Sequence, residues 1–460
     1  MKLLVVEVAQ IIPYTDSDSV LNSANSLNIP LTFFDLPWLV GHPFKQVFFY
    51  RLTESTREHF HSFILPKLKL SLSLVLRSYL PLCGCITWNP NELKPRIVVS
   101  ENDAVLVTIA ETDADFSHLS SYGQRLVSEL HTLTPELPFS DDSASAFSLQ
   151  ITLFPKQGFS IGFAAHHGVL DGKTSSIFIK AWAHLCKQDM ENRVVISLPA
   201  SLTPSLDRSL VKDLTGLDEQ MLEMVRSLKD DKTNMRSLSR NPIGEIGDDV
   251  VLATLVLSRD DVERLRERCM SQDDRRPLHL STFVIAYAYA WTCLVKARGG
   301  DGERAVSFIF GGDFRERLDP PLPTTYFGNC LFTTGSYKQK AAEFAGENGL
   351  VTAVEILSDL VKGLSSPGII ETIAQGFAIV FDSIGESSQF GSVGMSNKFG
   401  LYESDFGWGR PVKVDFLSIR GDGISLAERR EESGGVEIGM CMNKNELDLV
   451  FSCFNNGLQN

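Results

Sequence analysis

FSLQITLFPKQGFSIGFAAHHGVLDG, residues 147–172, is the stretch that best predicts how this chain folds. Phe147 to Phe154 and Phe159 to His166 are apolar runs of strand length, and residues 155–158 between them suit a tight connection. From Lys173 onward, apolar residues recur at helical spacing. The stretch therefore predicts a strand hairpin that leads through a polar loop into a helix.

The same mixture of strands and helices runs outward from this hairpin in both directions. Met1 to Pro13 reads as a first strand, and a capping box at Ser55 to Glu58 opens a helix that Pro66 is expected to kink. The remaining predicted elements are strands at Val250–Leu257, Ala305–Phe310, Val412–Ile419 and Val436–Met442, and helices at Asp218–Leu228, after Ser258–Asp261 and at Ser281–Val295. Because both halves mix strands and helices, the fold class is predicted to be α/β with two domains.

The stretch between the two predicted domains differs in composition. Over residues 197–249, prolines, serines and charged residues replace the apolar periodicity, which is typical of a long crossover. A single core seldom exceeds about 250–300 residues, so a chain of 460 residues is expected to divide. We predict an N-terminal domain at 1–196, a crossover at 197–249 and a C-terminal domain at 250–460.

Composition excludes several classes of function. The formal net charge of −14 is spread along the chain, which argues against a nucleic-acid partner. The longest apolar run, residues 283–295, is too short to span a bilayer, and the N-terminus lacks the features of a signal peptide. The eight cysteines are scattered, and the one close pair, Cys83 and Cys85, lacks the second pair that a zinc site requires, so reduced thiols and no metal site are predicted. We expect a cytoplasmic monomer that binds no membrane.

His167 and Asp171 are the first candidates for chemistry. They stand four residues apart in the loop that follows a predicted strand, and each is followed directly by a glycine, Gly168 and Gly172 respectively. A histidine at a strand end can serve as a general base at cellular pH. The alternative from the pattern alone is a core histidine followed by an aspartate that caps a helix.

Two further segments combine charged residues with turn formers. Asp405–Gly409 interleaves two glycines with two aromatics, which suits a rigid turn, so a structural role is the better interpretation. Arg315 lies in a proline-rich loop after a strand, where it could pair with a carboxylate in two-point geometry. A solvated charge cluster is the alternative for that loop.

Together these segments resemble the plant BAHD acyltransferases, which carry His-x-x-x-Asp-Gly near the middle and Asp-Phe-Gly-Trp-Gly nearer the C-terminus. The likeness includes Leu31–Asp35 and Tyr79–Leu82. Tyr326–Cys330, with the sequence YFGNC, is similar to the branch that acylates anthocyanins, flavonoids and other phenolic glycosides.

The resemblance implies two chloramphenicol-acetyltransferase-like domains with mixed sheets, joined by a long crossover and separated by a channel. It implies that His167 is the base midway along the channel, and that Asp171 points away from it and pairs with Arg315. The resemblance also implies that the Asp405–Gly409 turn supports the coenzyme side of the channel, through Asp405, Gly407, Trp408 and Gly409. No cofactor is expected to be bound; acyl-CoA is a co-substrate, and a phenolic glucoside is the acceptor.

The implied reaction has no acyl-enzyme, and its donor stays open between malonyl-CoA and a hydroxycinnamoyl-CoA. Ser392, Ser396 and Lys398 are predicted to border the acyl pocket, where Lys398 would serve a carboxylate or lie on the surface. Trp38 would stack on the acceptor ring or belong to the core. For the phosphates of coenzyme A, the weak candidates are Lys296, Arg298, Arg410 and Lys413. The competing hypotheses are a catalytically inactive binding protein on this scaffold, an acyltransferase acting on a non-glycoside alcohol or amine, and a condensation domain of peptide synthesis, for which the chain lacks room for carrier domains.

Overall fold

The computed structural model describes residues 1–15, 27–53, 56–89, 91–188, 197–228, 237–238, 247–270, 277–376 and 387–459. The strands are β1 Leu4–Ile11, β2 Leu27–Pro30, β3 Phe44–Arg51, β4 Cys85–Thr87, β5 Arg96–Val99, β6 Val105–Glu111, β7 Arg125–Leu126, β8 Ser143–Ser145, β9 Phe147–Phe154, β10 Gly158–Ala165, β11 Val250–Leu257, β12 Ala305–Asp313, β13 Leu331–Lys340, β14 Gln389–Gly394, β15 Lys413–Phe416, β16 Gly423–Glu428 and β17 Val436–Asn443. The helices are α1 Arg57–His59, α2 Leu65–Leu76, α3 Phe116–Leu119, α4 Val127–His131, α5 Gly172–Lys187, α6 Leu217–Ser227, α7 Arg259–Met270, α8 Thr282–Arg298, α9 Ala341–Ala345, α10 Gly349–Gly363, α11 Ile369–Gln375 and α12 Lys444–Gln459. None of these helices is long and apolar enough to cross a bilayer.

The hairpin predicted from the opening stretch is confirmed. β9 and β10 pair antiparallel from Gly158 opposite Phe154 to Ala165 opposite Phe147. Every residue of both strands is buried, because they lie inside a sheet of order β1-β6-β9-β10-β3-β15. A strand covered on both faces carries a continuous apolar run.

A second sheet, of order β13-β12-β14-β16-β17-β11-β7, occupies the C-terminal half, and a small sheet β2-β5-β4-β8 flanks the first. The long apolar helix α8 packs against α10 and α12 in that half. Both large sheets mix parallel and antiparallel pairs, as in β6 with β9 and β12 with β14, which are parallel. The predicted α/β class is confirmed.

The two halves exchange strands, which the sequence did not indicate. The strand predicted over Val412–Ile419 is the shorter β15, and it pairs with β3 of the N-terminal sheet. In return, β7 pairs with β11 of the C-terminal sheet. A buried ion pair from Arg125 to Asp415 joins β7 to β15, and a second, at 3.0 Å, from Lys413 to Glu437 joins β15 to β17. The boundaries 1–196, 197–249 and 250–460 stay a prediction, and β15 and β7 cross them.

The helix predicted after residue 55 begins differently. Ser55 lies outside the described residues, and the helix N-cap is Thr56, whose hydroxyl accepts from the His59 amide at 3.0 Å. Pro66 causes no sharp break, because it stands at the start of α2 and is preceded by a wide π turn at Phe60–Ile64. A π turn allows the helix to continue although proline cannot donate a backbone hydrogen bond.

Candidate active site

A cavity of about 1380 Å³, called here the central cavity, lies between the two halves. The N-terminal half contributes Trp38, Phe44, His167 and the first turns of α5 to its wall. The C-terminal half contributes residues from β12, β14 and the loops that follow them. This volume exceeds the roughly 300–1,000 Å³ that is typical of a pocket for one small ligand.

His167 enters the central cavity from the loop between β10 and α5, and its ring is held by aromatic neighbours. The indole of Trp38 stacks on it with ring centroids 4.0 Å apart and planes within 10°. The ring of Phe44 meets it edge-on at 5.3 Å. The adjacent His166 is fully buried and accepts the Gly168 amide through Nδ1 at 3.1 Å. His166 therefore fits the alternative of a core histidine, whereas His167 fits the alternative of a histidine available for chemistry.

The hydrogen bonds of Asn329 and Asp35 indicate which nitrogen of His167 carries a proton. Asn329 Nδ2 lies 3.0 Å from Asp35 Oδ1 and 2.7 Å from the His167 carbonyl oxygen. Both of these atoms only accept, so Nδ2 must be the amide nitrogen, and Oδ1 faces His167 Nδ1 at 3.1 Å. His167 Nδ1 therefore donates, which leaves the lone pair on Nε2.

Burial has a direct effect on the titration of His167. By disfavouring the charged form it lowers the pKa of the imidazole below 6.5. The hydrogen bonds of His167 to its own backbone and to Asn329, and the charges of Asp171 and Asp35, act in the opposite direction without overcoming burial. A lowered pKa favours the neutral ring at cellular pH, which is the form that a general base requires.

Asp171 caps α5 and pairs with Arg315, so both interpretations of this residue apply together. Its Oδ1 accepts the Thr174 amide at 2.9 Å, and its Oδ2 accepts Arg315 Nη2 at 2.8 Å. The pair is not of the two-point kind predicted for Arg315, since Nη1 instead contacts Asp313 at 3.1 Å. The other oxygen of Asp171 serves the helix cap instead.

Arg315 also ties the YFGNC segment to this pair. Its Nη2 donates to the Gly328 carbonyl at 3.0 Å, and the Cys330 amide donates to Asp171 Oδ2 at 3.3 Å. Asp171 and Arg315 are each 1% exposed, which excludes the alternative of a solvated charge cluster. Since Asn329 lies between Gly328 and Cys330, the ion pair holds the residue that contacts His167.

A model of the Transferase family matches residues 18–455. The chain is also 66% identical to phenolic glucoside malonyltransferase 2 of Arabidopsis thaliana over the full length of both proteins. The chain is a BAHD acyltransferase. It is further 46% identical to agmatine coumaroyltransferase of Arabidopsis thaliana, with 99% of each chain covered. Its fold is that of vinorine synthase, with a TM-score of 0.67 at 19% identity over 97% of this chain and 96% of the other.

Membership of the BAHD acyltransferases confirms the family predicted from the sequence and the two chloramphenicol-acetyltransferase-like domains. The protein is an acyl-CoA-dependent acyltransferase, and acyl-CoA is its co-substrate.

The Asp405–Gly409 turn of this BAHD acyltransferase does not line the central cavity. Asp405 Oδ1 accepts the amides of Gly407 at 2.8 Å and Gly409 at 3.0 Å, while Oδ2 binds Lys187 at 2.6 Å. Lys187 ends α5, whose 16 residues span about 24 Å from Asp171. The turn and the histidine motif thus hold opposite ends of one helix, and this position favours the structural interpretation of Asp405, Gly407, Trp408 and Gly409.

The structure brings most of the other candidates to the central cavity. Trp38, Ser392, Ser396 and Lys398 all line it, although one face of Trp38 is covered by His167. The prediction that Lys413 binds the phosphates of coenzyme A is wrong, because this side chain is buried and bound to Glu437. Lys296, Arg298 and Arg410 do not line the cavity either.

Asn329 and Asp35 are the site residues that the sequence analysis missed. Both stood in segments quoted for their family likeness, and neither was given a role. They contact each other across 294 positions of the chain, which no local pattern reports.

Proposed function

We propose that this BAHD acyltransferase moves a malonyl group from malonyl-CoA to a sugar hydroxyl of a phenolic glucoside, with His167 as general base and without an acyl-enzyme. The observation that carries the proposal is the position of His167 in the wall of the central cavity, with Nδ1 engaged by the Asn329 side-chain oxygen so that the lone pair is left on Nε2. The malonyl donor and the glucoside acceptor are supported by the relative at 66% identity. The cytoplasmic location and the monomeric state stay predictions.

The reaction needs one base and both substrates together. His167 Nε2 takes the proton from the sugar hydroxyl as its oxygen attacks the thioester carbonyl. The tetrahedral oxyanion collapses, the carbon–sulfur bond breaks, and the imidazolium returns the proton to the coenzyme A thiolate. The products are the malonyl ester and free coenzyme A. Direct transfer is supported by the size of the central cavity, which has room for donor and acceptor at the same time.

Basic side chains at the central cavity support binding of the anionic donor. Lys173, Lys180, Arg317 and Lys398 all line it, in a chain whose net charge is −14. Arg317 and Lys398 are exposed, so they suit the phosphates of coenzyme A. Lys173 is less exposed than either and lies in the first turn of α5, directly after the His167 loop, with its Nζ 3.1 Å from Asp313. We assign Lys173, rather than Lys398, to the free carboxylate of the malonyl group.

Lys173→Met is expected to lower kcat/KM for malonyl-CoA about 10- to 100-fold, because a hydrogen bond between charged groups is lost. For acetyl-CoA, which has no second carboxylate, we expect a change of no more than about twofold. Steady-state kinetics with both donors give the ratio of kcat/KM for malonyl-CoA to kcat/KM for acetyl-CoA, which is the quantity to compare between variants. The matched variant Lys398→Met should leave that ratio unchanged; an equal loss for both donors in Lys173→Met would exclude the assignment.

The proposed function is tested by coenzyme A release from malonyl-CoA and from p-coumaroyl-CoA, each with and without a phenolic glucoside. We expect release that depends on the acceptor, with malonyl-CoA as the productive donor and a malonyl ester detected by mass spectrometry. Release only from p-coumaroyl-CoA, or only with an amine acceptor, would instead favour the chemistry named for the relative at 46% identity. Binding of both substrates without release would favour the inactive binding protein.

A further inference from the structure

Asp35 is a buried carboxylate that the reaction as written does not use. It is 0% exposed and accepts four hydrogen bonds. Oδ2 takes the Thr32 amide at 3.0 Å and the Thr32 hydroxyl at 2.9 Å. Oδ1 accepts from the backbone amide of Asn329 and from its side-chain Nδ2, both at 3.0 Å. One oxygen therefore holds its own turn, and the other holds the residue that contacts His167.

We propose that Asp35 and Asn329 are positioning residues that fix His167 as the tautomer protonated on Nδ1. This inference rests on the proposed function, in which Nε2 is the base. Which nitrogen of a histidine is protonated depends on the hydrogen bond made by the other. An amide can offer either an oxygen or an NH₂ group to Nδ1, and only the oxygen leaves Nε2 unprotonated. Asp35 selects the oxygen by binding the NH₂ group on the opposite side.

The charge of Asp35 is what makes this selection firm. A carboxylate can only accept, so a rotated Asn329 would place its own oxygen against a negative oxygen and lose two hydrogen bonds. A neutral amide at position 35 would weaken this constraint, because only the His167 carbonyl would still oppose the rotation. The wrong orientation would then be tolerated, and with it the tautomer that carries its proton on Nε2.

Arg208, which lies in the predicted crossover, supplies a positive charge beside the buried carboxylate of Asp35. Its Nη2 lies 3.9 Å from Asp35 Oδ2, and its Nη1 donates to the Tyr326 hydroxyl at 2.5 Å and the Phe327 carbonyl at 2.7 Å. A Cβ on Gly328 would come within 2.1 Å of Arg208 Nη1, so the glycine of YFGNC is needed for this approach. The crossover thus supports the segment that carries Asn329.

The charged groups that affect His167 come from both halves. Asp171, from its own loop, is paired with Arg315, and Asp35 is partnered by Arg208. Both carboxylates favour the protonated ring. Removing the charge of Asp35 therefore lowers the pKa of His167 and moves the acid limb of the pH–rate profile to lower pH.

The test is Asp35→Asn in the full-length protein, with ¹⁵N-labelled histidine observed by NMR and His167→Gln used to assign the signals. Wild type is expected to show Nδ1 protonated and Nε2 unprotonated at neutral pH. Asp35→Asn should show a mixture of tautomers, a fall in kcat on the order of 100-fold with little change in KM, and an acid limb at lower pH. Asn329→Ala is the second variant and should show the same loss of tautomer preference.

Thr32→Val is the matched control, because it removes the hydroxyl hydrogen bond to Oδ2 of Asp35, the oxygen that does not bind Asn329. It should lower stability without changing the tautomer, kcat or the acid limb. Folded Asp35→Asn and Asn329→Ala proteins that keep the wild-type tautomer would overturn the inference. A changed tautomer with unchanged kcat would support the positioning and instead contradict His167 as the base.

Discussion

Replacing His167 by glutamine is expected to lower kcat for acceptor-dependent coenzyme A release by about 10³-fold and to leave KM for malonyl-CoA within about twofold. Glutamine occupies a similar volume but cannot take a proton at cellular pH. The binding surfaces supplied by the rest of the central cavity stay in place, so the loss belongs to the chemical step. Steady-state kinetics of thiol release, with circular dichroism to verify folding, measure the effect.

A matched histidine outside the cavity serves as the control for this variant. His184 lies in α5 and binds Gln188 at 2.8 Å, and it does not line the central cavity. His184→Gln should retain wild-type kcat. If His167→Gln kept more than about a tenth of wild-type kcat, another group would have to be the base.

Arg315→Leu is expected to destabilise the protein by about 3–5 kcal/mol, because it leaves the carboxylate of Asp171 buried without its partner. The same change frees the YFGNC segment and so disturbs the contact between Asn329 and His167. We expect a lower midpoint of urea unfolding together with a loss of activity. The exposed Arg317 provides the comparison, and Arg317→Leu should have almost no effect on the midpoint.

The double variant Asp171→Asn, Arg315→Leu separates the ion pair from general loss of packing. Once the carboxylate is neutral, the cost of burying it alone disappears, so the double variant should be more stable than Arg315→Leu. Equal unfolding midpoints for Arg315→Leu and Arg317→Leu would contradict a stabilising role for the pair.

The sequence predicted those features that depend on neighbours in the chain. The β9–β10 hairpin and the loop that carries His167 follow from two apolar runs, a short connection and the loop glycines Gly168 and Gly172, all within 26 residues. Helix caps such as Ser281 at α8 and the Ser258–Asp261 pair at α7 are equally local. These elements were predicted to within a few residues.

Features that depend on partners far along the chain were missed. β15 contains Lys413 and Asp415, charged residues that a surface strand would carry equally well, and its burial depends on Arg125 and Glu437. Asn329 resembles any loop asparagine until Asp35 and His167 are placed around it. No periodicity encodes such contacts, because they are created when the two halves close on each other.

The measurement that tests the central claim most directly is the pH dependence of kcat/KM for the phenolic glucoside, at saturating malonyl-CoA, in wild type and His167→Gln. Burial lowers the pKa of His167 below 6.5, so the inactive protonated ring accumulates only at lower pH. The account predicts that wild-type activity rises with pH through one apparent pKa below 6.5 and is level near neutrality, and that this limb is absent from the residual activity of His167→Gln. The same acid limb in His167→Gln would show that another group takes the proton and would contradict the account.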